Sequence, residues 1–380
     1  MQTQVSLNRA RLLLEEGRSE AARTVLEAIQ TGTDAQQRDV IYLLGWYYII
    51  SSQWENAAQA LSSLVTHIAS KGEEAQQETL LERERLAIHL LRLGQTAVNL
   101  AHYEDASRHF TLCLKMLHDR RVHLPALRIE ARYNLAMTYV MRGSYSVAIQ
   151  HYNDALRLCR HFELNEALPN IYYGLSEAYR CMGNFTKAHE FGREALRIYQ
   201  ERGDEPLQGR MYAILGRISL LLGDYDAAAN YYHTSCALAV SNNRPKMIML
   251  NYASLAEVYV AQERMDEAKA CVLLALEAIT QVNDAFLCGI VYTTIGRVTL
   301  AEARLTDASQ RQHVFDEGVS WLEKSVTQLK LTQAFKDLAQ TYIYLATVSE
   351  ELDRPQDALA YWKLACTETD KAKGIPCGRD

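Results

Sequence analysis

Forty residues separate two copies of one phrase, Gly-Asn-Phe-x-x-Ala at Gly183 to Ala188 and Gly-Asp-Tyr-x-x-Ala at Gly223 to Ala228. Forty residues before the first copy stand Gly143, Ser144, Tyr145 and Ala148. Each phrase follows a helix-like stretch: Leu135, Ala136 and Tyr139, then Leu175, Ser176 and Tyr179, then Leu215 and Gly216. A fixed period of this length restricts the chain to stacked supersecondary units, each unable to bury its apolar face alone. A chain made of such units offers a long surface and no closed catalytic pocket.

The register extends in both directions. One small residue recurs as Ala10, Gly45, Gly94, Ala136, Ser176, Gly216, Ala256, Gly296 and Ala346. A second recurs as Ala22, Ala57, Ala106, Ala148, Ala188, Ala228, Ala268, Gly318 and Ala358. Just before the second falls Trp54, Tyr103, Tyr145, Phe185, Tyr225, Met265 or Phe315. Helices approach closely only where side chains are small, and a large side chain beside the turn fills the wedge between neighbours.

These residues resemble the tetratricopeptide repeat (TPR). The resemblance implies an all-α, right-handed superhelical solenoid of about nine helix–turn–helix repeats. They are expected near 3–36, 38–70, 80–120, 126–164, 169–203, 207–243, 247–284, 286–332 and 336–372. Together they would form a single domain over residues 1–373, followed by a polar tail at 374–380. Forty-residue units of this kind are similar to those of bacterial peptide-pheromone receptors and peptide-holding polarity adaptors.

Punctuation agrees with the repeat. Pro125, Pro169, Pro206 and Pro245 sit at the start of first helices and Pro355 opens the last second helix, where a missing N–H costs little. Gly17, Gly143, Gly183 and Gly223 are placed to end first helices. Two insertions break the spacing. Ser70 to Leu80 adds residues between repeats two and three, and Ala303 to His313 adds about ten between the helices of repeat eight. Both read as surface insertions.

Composition narrows the function classes. A net charge of −6 argues against a nucleic-acid-binding surface for the whole domain. A local basic stretch, Arg120, Arg121, His123, Arg128 and Arg132, is interrupted by Glu130 and reads as a solvated turn and helix start. The eight cysteines form no Cys-x-x-Cys pair and fall mostly in helical patterns, which fits a reducing, cytoplasmic setting. The longest apolar run, Ile41 to Ile50, is too short to span a membrane, and no membrane partner is expected. No metal-ligand spacing, phosphate-cradling glycine loop or nucleophile elbow is present, so no cofactor, metal or enzyme activity is expected.

The inner face of the first helices is the informative surface. The residue after the first small position runs Trp46, Gln95, Met137, Glu177, Arg217, Glu257, Arg297 and Thr347, so charge alternates over four repeats. Either an inter-helix ion-pair ladder or a row of groups that grips a peptide backbone would produce this pattern. Around it, the resemblance places Arg92, Gln95 and Asn99, then Tyr133 and Asn134, on the inner face. Asn170, Tyr173, Glu177 and Arg180 follow, then Arg210 and Arg217, and finally Glu257, Thr293, Thr294 and Arg297. Asn can pair with both N–H and C=O of an extended backbone, and Arg can take a carboxylate in a bidentate bond. Ile49, Ile50, Val140, Met141, Leu220 and Leu221 read as seam packing or as apolar anchors. The family's carboxylate clamp is matched only at Asn134, and its lysines are missing.

The resemblance implies a non-enzymatic, peptide- or protein-binding regulator acting as a monomer or homodimer. The alternative is a structural scaffold that self-associates or assembles a multiprotein complex, for which the terminal repeats offer Tyr361, Trp362 and the helix around Trp46.

Overall fold

The computed structural model describes residues 2–31, 33–70, 80–118, 123–332 and 334–372. Arg120, Arg121, most of the Ser70-to-Leu80 insertion and the 374–380 tail therefore lie outside the described residues. Those residues are all-α, with eighteen α-helices, one short 3-10 turn at Asn165–Ala167 and no strand among them. Two compact units are formed, Met1–Phe191 and Gly192–Asp380.

The first unit holds α1 (Gln2–Glu15), α2 (Ser19–Glu27), α3 (Asp34–Ile50), α4 (Trp54–Ser70) and α5 (Leu80–Asn99). It continues with α6 (Tyr103–Met116), α7 (Pro125–Met141), α8 (Tyr145–Phe162), α9 (Leu168–Cys181) and the start of α10 (Phe185–Glu201). The second unit holds the rest of α10, then α11 (Glu205–Leu222), α12 (Tyr225–Ser241), α13 (Pro245–Ala261) and α14 (Met265–Ile279). It ends with α15 (Ala285–Leu305), α16 (Ala308–Lys330), α17 (Phe335–Glu351) and α18 (Pro355–Ala372). Odd-numbered helices are the first, and even-numbered the second, of each repeat.

Small residues stand where helices meet. Every member of the two small-residue series is buried. At four of the first positions the reason is direct. A β-carbon on Gly94 would lie 2.5 Å from Phe110, one on Gly45 2.7 Å from Leu61, one on Gly296 2.9 Å from Leu322 and one on Gly216 3.0 Å from Tyr232. A large apolar residue on the second helix thus fills the notch that each glycine leaves on the first. Contiguous apolar clusters then run through each unit, for example Ile129, Tyr152, Ile171 and Leu175 in the first and Met249, Ala275, Val291 and Ile295 in the second.

The turn inside each repeat follows one geometry. Gly17, Ser52, Ala101, Gly143, Gly183, Gly223, Glu263 and Asp353 all adopt positive φ, between 55° and 79°. The next residue's N–H donates to a carbonyl five residues back, as in Asp224 to Ser219 at 2.9 Å and Arg264 to Tyr259 at 2.9 Å. This is the C-terminal cap that satisfies otherwise orphaned carbonyls. The four glycines were legible as helix ends, whereas Ser52, Ala101, Glu263 and Asp353 hold the same left-handed conformation with a side chain. Asp204, Asp224 and Asp284 cap the helices that follow them, each accepting a backbone N–H three residues on.

Repeat eight departs from this turn, and here the sequence expectation is corrected. The residues added at Ala303 to His313 do not form an irregular insertion between helices. They lengthen both partners, so that α15 reaches Leu305 and α16 begins at Ala308, with only Thr306 and Asp307 between. Phe315 keeps its buried place in the register, now inside α16 rather than at its start. The run is rich in helix formers, so adding hydrogen-bonded turns costs less than ordering a loop. By length and composition α15 could also cross a membrane, with a mean hydropathy of 1.2. In the fold it is a core helix, burying Val291, Ile295, Val298, Leu300 and Ala303.

Candidate functional site

In the second unit, the first helices of the last three repeats, α13, α15 and α17, enclose a cleft of about 320 Å³. Its floor and walls are mainly aliphatic, formed by Val260, Val298, Leu300, Ala301 and Val348. That volume lies at the lower end of the range for small-ligand sites, enough for one or two side chains of a bound segment. Equivalent positions of successive repeats line it: Glu257, Arg297 and Thr347 occupy one register, and Val260 and Leu300 another. Three of the lining residues therefore come from the position that follows the first small residue of each repeat.

Two ion pairs frame it. Arg297 Nη1 on α15 donates to Glu257 Oε1 on α13, while its guanidinium lies 5.0 Å from the ring centroid of Tyr344 on α17. Arg304 binds Glu351 on α17 through both arms of the fork, Nη2 to Oε1 at 2.7 Å and Nε to Oε2 at 3.1 Å. Arg304 stands on the extra helical turn that only α15 possesses, since α13 ends at Ala261 and α17 at Glu351. The lengthening of repeat eight thus supplies one wall of the cleft. Thr347 spends its hydroxyl on its own helix, donating to Ile343 O at 2.9 Å.

Of the two readings of the alternating charges, the inter-helix ion pair is realised between Glu257 and Arg297. Elsewhere the pattern resolves differently. Glu177 pairs with Arg180 on its own helix, through Nε at 3.0 Å and Nη2 at 2.9 Å. Burial works against the Arg180 charge, but Glu177 holds its pKa above the ordinary arginine value. Arg217 is exposed and lies beside the buried Tyr232 phenol of α12.

The remaining predicted residues divide between units. In the first, Arg92 Nη1 donates to Gln95 Oε1 at 2.9 Å, and Gln95 Nε2 to Glu130 Oε1 on α7 at 2.9 Å, a short polar chain across α5 and α7. Asn134, read from the sequence as a groove residue, is buried and donates to Glu130 O at 2.9 Å, and Asn99 donates to Gln95 O at 2.9 Å. These amides serve their own helices. Tyr133 packs against Tyr152 with ring centroids 5.9 Å apart, Tyr173 is half-buried and Asn170 is exposed. In the second unit Arg210 is exposed, and Thr293 joins a hydroxyl cluster with Ser325 at 2.7 Å and Thr341 at 3.0 Å. Ile50, Met141 and Leu221 are exposed at the C-terminal ends of their first helices, whereas Ile49, Val140 and Leu220 are partly covered.

Arg304, Tyr344, Ala301 and Val348 were not singled out in the sequence. Tyr344 shares its register with Asn134 and Thr294 of earlier repeats, a signal that was available. Burial pushes the Cys113 and Cys236 thiols up to about 12, where they stay protonated.

The family model of the MalT-like TPR region matches residues 86–363, well over half of the chain. The chain belongs to the MalT-like TPR family. A second tetratricopeptide model matches residues 3–28 of this TPR protein. No curated protein matches it. Among solved structures, the apo form of RapI superposes with a TM-score of 0.70 at 13% identity, over 98% of this chain and 99% of RapI. The apo form of the quorum sensor NprR from B. thuringiensis gives 0.67 at 16% identity, over 96% and 98%. NprR in complex with its cognate peptide NprX gives 0.57 at 15% identity, over 97% and 100%. At these identities the likeness establishes a shared TPR fold.

Proposed function

We propose that this TPR chain is a non-enzymatic regulatory module that holds a peptide or an extended protein segment against the inner faces of its first helices. The observation that carries the reading is the aliphatic cleft between α13, α15 and α17, framed by Glu257, Arg297, Arg304 and Tyr344. A side chain projecting from an extended segment can bury itself there while the polar rim meets its backbone. Arg210 and Arg217 would contribute in the second unit. In the first, the proposal gives Arg92, Gln95, Asn99, Tyr133, Asn134, Asn170, Tyr173, Glu177 and Arg180 the same task. The likeness to peptide-bound NprR is consistent with it.

The test is selection of linear peptides from a displayed random library on the purified chain, followed by binding to Ala301→Trp, which fills the cleft. Enriched peptides should lose affinity for that variant by more than tenfold. Peptides that bind the filled variant equally well would contradict the reading.

A second reading, self-association through the last repeat, is favoured by one observation. Leu359, Trp362 and Leu364 on α18 are exposed. Trp362 occupies the register of Tyr152 and Tyr232, which are fully covered in inner repeats.

A further inference from the structure

Arg297 and Arg304 stand seven residues apart on α15, hence about 10 Å along one helix face. Both are roughly half exposed, and each is paired to a glutamate of a neighbouring helix. They differ in what the pairing leaves over. Arg304 commits Nε and Nη2, the full fork edge, to Glu351. Arg297 commits Nη1 alone to Glu257, and among the described residues its Nε and Nη2 meet no acceptor. The Tyr344 ring supports the guanidinium from one side, a placement that fixes the plane of an arginine while leaving its edge donors in that plane.

An unspent Nε and Nη2 edge is the geometry that takes a carboxylate in two parallel hydrogen bonds. It sits at the mouth of a cleft whose floor is Val260, Leu300 and Val348. Such a site rewards a ligand that carries an apolar side chain and an acidic group close together. A neutral polar group would bond more weakly to Arg297, and a cation would meet it with repulsion.

Resting on the peptide-binding reading above, we infer that the segment held in this cleft is acidic and apolar. Its apolar side chain lies between α13, α15 and α17, and a neighbouring carboxylate sits on the open edge of Arg297. Arg297 is then the specificity-determining residue. Glu257 acts as a restraint on it, because the ligand carboxylate must share the guanidinium with the Glu257 charge.

A carboxylate receptor at Arg297 is separable from a purely architectural pair. If the Glu257–Arg297 pair serves only to hold α13 against α15, Glu257→Gln weakens the site for every ligand. If Arg297 is the carboxylate receptor, Glu257→Gln tightens the site for acidic ligands alone.

The experiment uses fluorescein-labelled, end-capped heptapeptide mixtures with a central Leu, followed by Glu, Gln or Lys, and randomised elsewhere. Binding to the full chain is read by fluorescence polarisation. The Glu mixture should bind about tenfold more tightly than the Gln mixture, the least expected of a bond to a charged donor. The Lys mixture should bind most weakly. In Arg297→Gln the Glu advantage should vanish, in Arg297→Lys it should be partly kept, and in Glu257→Gln it should grow. Equal binding of the three mixtures overturns the inference and leaves the peptide-binding reading standing, as does weaker binding of all three to Glu257→Gln. Failure of every mixture to bind overturns the peptide-binding reading, and the inference falls with it.

Discussion

The ring of Phe110 occupies the space where a β-carbon on Gly94 would stand, its Cε1 only 2.5 Å from that point. Both residues are buried, Phe110 completely, and the notch is the contact that sets α5 against α6. Gly94→Ala should therefore force the ring aside and lower stability by about 1–3 kcal/mol, the usual cost of overpacking. Thermal unfolding checks this, and an unchanged Tm would mean that the two helices do not meet at this residue.

Glu263 holds a φ of 61° between α13 and α14 and is exposed, so its side chain gains nothing from the conformation. Glu263→Gly should raise stability by up to about 1 kcal/mol, since the left-handed region strains any residue with a β-carbon. Gly223→Ala, at the matching turn, should lower it by a similar amount, although open space surrounds the site. Denaturant titration of both variants would expose a wrong assignment if the two shifts had the same sign.

The difference between those two turns shows where sequence reading stops. Gly223 announces a left-handed residue because glycine is the one side chain that adopts it freely. Glu263 does not, because its conformation is imposed by the six-residue cap closed through Arg264 N–H and Tyr259 O. Packing was legible in the same uneven way. Ala136, Ala148, Ala228 and Ala268 could be placed because small residues are required where helices touch, and each is fully buried. Arg304 and Glu351 could not, since they lie forty-seven residues apart and meet only because α15 gains a turn. Asn134 was ambiguous, because an amide on an inner position bonds its own helix, as it does to Glu130 O, as readily as a ligand.

His151 lies flat against Tyr139, with ring centroids 5.5 Å apart, just as Phe191 lies against Tyr179 at 5.6 Å. Burial lowers the pKa of His151 below its ordinary 6.5, Arg132 adds to this and Asp154 opposes it. Burial lowers that of His109 in the same way, with Asp105 and Arg108 beside it. Their neutral rings belong to the folded state, so the unfolded chain takes up protons first as pH falls. Stability from these groups is complete above about pH 6.5 and is lost as pH drops towards the lowered folded values. His151→Phe should keep the stack and flatten the acid side of the Tm-versus-pH curve. An identical acid slope in that variant would assign the loss elsewhere.

Self-association through α18 makes its own prediction. Light scattering should find a mass that rises with concentration, and Trp362→Glu should return it to that of the single chain. A single-chain mass for the unmodified protein at every concentration would remove this reading and leave the groove.

The central claim is that an extended segment binds between α13, α15 and α17, and methyl NMR on the full chain tests it directly. On titration with a selected peptide, the methyl signals of Val260, Leu300 and Val348 should shift first and together, whereas that of the exposed Leu273 on α14 should not move. Shifts confined to second-helix methyls such as Leu273, with the cleft methyls unmoved at saturation, would contradict the account.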